Sequence, residues 1–81
     1  MKKNDMSVLV QLGMRIRYLR RERHLSQMDL ALDSGVTKNY LSDLERGERN
    51  PSVMVLNKIC KGLKVSLEDL FKGVEDLDSL L

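Results

Sequence analysis

Thr37, Lys38, Asn39, Ser42 and Asp43 place five hydrogen-bonding side chains within seven positions of an 81-residue chain. At helical spacing they share one side of a short helix. Their chemistry is recognition and not bond-making. Lys38 can donate to guanine O6 or N7, Asn39 can bond adenine in bidentate fashion, Asp43 can accept from cytosine N4, and the Thr37 methyl can touch thymine. A carboxylate near phosphates is repelled unless paired, so Asp43 has a second use, holding Lys38 or Arg46. Bond-making chemistry has little to build on. The chain has one His, His24, and one Cys, Cys60, with no Gly-rich phosphate loop and no His/Cys metal spacing. The expectation is a protein that is not an enzyme and needs no cofactor and no metal.

The elements that must position this face lie between Ser26 and Arg46. Ser26 is an N-cap residue with Asp29 three positions on, a variant of the capping box. Met28, Leu30, Ala31 and Leu32 supply an apolar face, and Gly35 stops the helix because it takes a left-handed turn cheaply. Thr37 caps a second helix whose apolar side is Tyr40, Leu41 and Leu44, and Gly47 ends it. Helices of about eight residues do not hold alone. They must cross each other and pack on the rest, with Val36, Leu41 and Leu44 inward. The arrangement fits a helix-turn-helix, whose second helix enters the DNA major groove and reads base edges mainly from its N-terminal residues.

The run Leu25-Ser26-Gln27, Leu30-Ala31, Ser34-Gly35-Val36, Tyr40-Leu41-Ser42 and Leu44-Glu45-Arg46-Gly47, followed by Pro51-Ser52, resembles the XRE family, the Cro and phage-repressor type of helix-turn-helix. The likeness spans residues 12 to 71. It implies an all-α, five-helix repressor-like bundle that acts as a sequence-specific transcriptional regulator. It also implies that Gln27 clamps the DNA backbone and that Arg20 pairs with Glu45, locking the first helix to the third. Asn39 to Arg46 followed by Arg49-Asn50-Pro51 looks closest to the restriction–modification controller proteins.

The rest of the chain supplies the mount and the anchors. Leu9, Leu12, Ile16 and Leu19 make one stripe of a first helix over 8–23, and Gly13 within it allows close approach by a neighbour. Arg15, Arg17, Arg20, Arg21 and Arg23 lie within nine residues, opposed only by Glu22. Such a patch beside a helix-turn-helix suits double-stranded DNA although the net charge is only +2. Gln27, Arg17, Arg21, Arg46 and Asn50 are the expected phosphate contacts. Gln27 sits in the first turn of a helix, where free N–H groups meet anions. Ser52 caps a fourth helix over 53–61, ending before Gly62, with Leu56, Ile59, Cys60 and Leu63 on its core side. Ser66 caps a fifth. Leu67, Leu70, Phe71, Val74 and Leu77 continue an apolar stripe that exceeds the needs of a small core, and this stripe is the expected homodimer interface.

Residues 1–7 read as a flexible arm, 8–73 as the DNA-binding domain, and 74–81 as an acidic tail or an extension of the last helix. No apolar run approaches the ~20 residues of a membrane span, and the lone Cys suits a reducing compartment, so a cytoplasmic protein without membrane contact is expected. With one domain, no small-molecule ligand is expected. The alternative function is a protein–protein interaction module, such as an antitoxin-like partner-binding protein, in which acidic residues block the DNA face.

Overall fold

The computed structural model describes residues 7–74. They form α1 (Val8–Glu22), α2 (Gln27–Ser34), α3 (Lys38–Glu45), α4 (Val53–Leu63) and α5 (Leu67–Phe71), with no strand among the described residues. Residues 1–6 and 75–81 lie outside them, and with them fall most of the expected arm and tail, Leu77 included. Each helix starts where a hydroxyl side chain takes up N–H groups that the helix leaves free. Ser7, Ser26, Thr37, Ser52 and Ser66 are the N-caps. At α2 the box is complete: Ser26 Oγ accepts from the Asp29 N–H at 2.9 Å, and the Asp29 carboxylate accepts from the Ser26 N–H at 3.0 Å.

The helix ends are less regular. Gly35 stops α2 in the left-handed conformation, φ 69°. His24 does the same after α1 without being glycine, at φ 56°, as does Lys64 after α4 at φ 60°. The expected end of α4 before Gly62 is therefore corrected: the helix runs on to Leu63. Gly62 is a packing glycine. A Cβ there would stand 2.7 Å from Ser34 Oγ and 2.9 Å from Leu30 Cδ1 of α2, so its missing side chain serves helix contact and not termination. α5 closes at Phe71, ahead of Gly73.

All five helices contribute to one core, in which Ile16, Leu30, Leu41, Leu44, Ile59 and Leu63 are wholly buried. Each such side chain contributes about 1.5–3 kcal/mol relative to exposure. α1 crosses the end of α3 at Gly13, where a Cβ would meet Leu44 O at 2.5 Å and Glu45 O at 2.6 Å. The helix-propensity cost of Gly13, about 1 kcal/mol, is thus offset by a backbone-to-backbone approach. On the other side of α1, Arg15 donates to Asp69 O at 2.8 Å and Leu70 O at 3.2 Å. A cation there complements the carbonyl end of α5.

Leu70 corrects another expectation. It is wholly buried in the core of its own protomer and has no surface to give a partner, because helical spacing alone does not separate core from interface. Leu67 and Val74 are half-buried and Phe71 is 41% exposed. No described helix is long and apolar enough to cross a membrane.

Candidate nucleic-acid interface

The mount of α3 is set by what lies beneath it. Leu41 and Leu44 are wholly buried, and the turn from α2 is closed by the Val36 N–H donating to Ala31 O at 3.1 Å. The far end of α3 is held by Glu45. Arg20 donates through Nε to Glu45 Oε2 at 2.7 Å and through Nη2 to Oε1 at 3.0 Å. Gln27 donates to the same Oε1 at 3.0 Å, and Arg20 Nη1 donates to Leu25 O at 2.8 Å. One carboxylate therefore joins α1, α2 and α3. The two charged side chains are only 10% and 3% exposed, and a two-bond pairing of this kind is both strong and directional.

The outer face of α3 divides in two. Thr37, Lys38 and Asn39, at its start, are exposed. Thr37 Oγ1 accepts from the Tyr40 N–H at 3.0 Å as the cap, which leaves its methyl and its O–H proton outward. The Lys38 and Asn39 side chains have no hydrogen-bond or ion-pair partner among the described residues. Ser42 and Asp43, one turn on, are half-buried and engaged. Arg46 Nη1 donates to Ser42 Oγ at 2.9 Å, and Arg46 Nη2 donates to Asp43 Oδ1. Arg49 donates to Asp43 Oδ2 at 3.2 Å and lies over the Tyr40 ring, 5.5 Å from its centroid. Arg46 also meets Glu48, whose hydrogen bond and charge hold the guanidinium above its ordinary pKa.

Among the expected phosphate anchors, Gln27 is half-buried with one amide N–H spent on Glu45, leaving the second. Arg46 is inside the ion-pair cluster. Asn50 is exposed in the α3–α4 loop. Arg17 and Arg21 lie one turn apart on the exposed side of α1, beside Met14 and Tyr18. Arg49 and Tyr40 belong to the α3 face although sequence reasoning assigned them no role there. The link from Asp43 to Arg49 depends on the path of the turn after α3, and no spacing rule reports it. Burial pushes the Cys60 thiol above its ordinary pKa, as suits a packing residue.

Residues 16–70 match the helix-turn-helix family model. The chain is 44% identical over 72 residues to the HTH-type transcriptional regulator y4dJ of Sinorhizobium fredii, covering 89% of this chain and 91% of that one. In structure it is similar to the restriction–modification controller protein C.AhdI of Aeromonas hydrophila, with a TM-score of 0.76 and 40% identity over 78% of this chain and 96% of that one. It is also similar to the controller protein C.Esp1396I, solved as a tetramer in complex with its natural 35 base-pair operator, with a TM-score of 0.77 and 34% identity over 83% and 88% of the two chains. Against some other curated regulators that it matches, the chain spans less than half their length, 47% and 42%.

Proposed function

The chain belongs to the XRE-type helix-turn-helix family, and from that premise we propose that it is a sequence-specific DNA-binding transcriptional regulator of the controller-protein kind. The observation that carries the reading is the pairing of a free polar face with a rigid mount. Lys38 and Asn39 are exposed at the start of α3, while the other end of the helix is fixed by the shared Glu45 carboxylate. Groove reading needs donors for base edges on a helix that does not yield when it meets them. In this reading α3 lies in the major groove, Thr37, Lys38 and Asn39 make the base contacts with Ser42 and Asp43 behind them, and Gln27, Arg17, Arg21, Arg46 and Asn50 meet phosphates.

One such domain reads only a few base pairs, so the proposal includes a homodimer on a near-palindromic operator with half-sites about 34 Å apart. The operator-bound tetramer of a controller neighbour supports assembly on DNA. Phe71, with Leu67 and Val74, offers the apolar surface of α5 for the two-fold contact.

The test is selection from a randomised duplex library at two salt concentrations. An enriched inverted repeat, bound less tightly as salt rises, is the expected result. No enrichment together with no salt-sensitive binding would refute the proposal and favour a partner-binding module.

A further inference from the structure

We propose that Glu48 stands in for a DNA phosphate on Arg46 and so restrains DNA binding by α3. The inference deepens the DNA-binding reading and rests on it. Glu48 meets Arg46 side-on: Nε donates to Oε2 at 3.2 Å and Nη2 to Oε1 at 3.3 Å. This is the two-pronged geometry in which a guanidinium also takes a pair of phosphate oxygens. Nη1 is meanwhile occupied by Ser42 Oγ at 2.9 Å.

The backbone delivers Glu48 to this place. Side chains two residues apart do not face each other along a helix. Here the chain leaves α3 through Gly47 in the left-handed conformation, φ 77°. The Glu48 N–H then donates to Asp43 O at 2.9 Å. The turn folds residue 48 back over residue 46.

Electrostatics gives the arrangement its effect. Arg46 and Arg49 are matched by Asp43 and Glu48, so this end of the reading face is neutral as folded. A phosphate that takes the same two-pronged edge of Arg46 must displace Glu48, which then gathers a solvent cation of its own. The counterion release that ordinarily drives phosphate binding is reduced by that uptake. The Arg46 and Glu48 side chains are 54% and 58% exposed, so water reaches the pair and the exchange is open.

The experiment is an anisotropy titration of random-sequence duplex with the full chain, wild type and Glu48→Gln, from about 50 to 200 mM salt, the range over which such affinities change steeply. An exposed pair is weak, so the variant keeps the fold, checked by circular dichroism. It is expected to bind about two- to five-fold more tightly at low salt, the range an exposed ion pair allows. Its log–log salt slope is expected to steepen by up to about 0.9. Glu68→Gln, the same charge change on an exposed residue of α5, is expected to give a smaller gain and no change of slope. Equal affinity and slope for Glu48→Gln and wild type would overturn the inference, and so would an equal gain from Glu68→Gln, which would reduce the effect to net charge. Salt-insensitive or absent binding by all three proteins would instead remove the DNA-binding reading, and the stand-in role with it.

Discussion

Replacing Glu45 with alanine tests the mount of α3 directly. The substitution removes the acceptor for two Arg20 bonds and one Gln27 bond. It leaves a guanidinium 10% exposed with only Leu25 O as a partner in the described structure. Removing one member of a buried pair costs about 3–5 kcal/mol. A domain of this size has about 4–12 kcal/mol in all, so the variant should lose a large share of its stability and its Tm should fall by about 12 °C or more. Urea unfolding followed by circular dichroism, with the midpoint compared at constant m, is the measurement. The double variant Arg20→Met with Glu45→Met should recover most of the loss, because an apolar pair needs no partner. It should fall short by about 1–3 kcal/mol for the Leu25 carbonyl left without its donor and the Gln27 amide left without its acceptor. A loss below about 1 kcal/mol for Glu45→Ala, the range of an exposed pair, would refute the claim that one carboxylate fixes three helices.

Other expectations follow from the contacts already described. Gly13→Ala should destabilise by more than the roughly 1 kcal/mol of helix propensity it gains, since the new Cβ falls 2.5 Å from Leu44 O; a raised Tm would contradict the close approach of α1 and α3. The Asp29 carboxyl is held below the usual carboxylate range, first by the Ser26 N–H and then by the Ser26 hydroxyl. Its stabilising effect is whole above the ordinary value near 4 and is lost as pH falls through the lowered folded value. Thermal melts in acid should therefore show a loss that Asp29→Asn blunts, and parallel profiles would refute it. Phe71→Ser should shift the monomer–dimer balance toward monomer in sedimentation with little change in the protomer's fold, since the ring is 41% exposed; an unchanged dimer would move the interface off α5.

Much of the fold is legible along the chain because its signals are local. Four of the caps, Ser26, Thr37, Ser52 and Ser66, are single hydroxyls ahead of an apolar stripe, whereas Ser7 reads as part of the arm and yet caps α1; the stop at Gly35 needs only its own backbone. What is not legible depends on the approach of distant segments. Gly62 looks like a stop, yet it is shaped by α2 lying against it. Left-handed His24 and Lys64 end helices because the chain must turn there to reach the core, and nothing in a histidine or lysine announces that. Arg15 reads as one surface arginine among several, but it reaches residues more than fifty positions away at the end of α5. At the α3 face, exposed Thr37, Lys38 and Asn39 are readable from spacing. The pairing of Asp43 with Arg46, one helical turn apart, is readable too; the contacts of Arg46 with Glu48 and of Asp43 with Arg49 are not, because they depend on the turn at Gly47.

The freedom of Lys38 and Asn39 has an evolutionary consequence. Neither belongs to the core, to a cap or to an ion pair among the described residues. Surface substitutions away from packing, caps and ion pairs change stability by about 0.5 kcal/mol or less. If Lys38 and Asn39 read bases as proposed, preference for a DNA sequence can therefore be rewritten at these two positions while the melting behaviour of the domain stays where it was. A lineage that duplicates this chain could give the copies different targets without first acquiring a stability reserve.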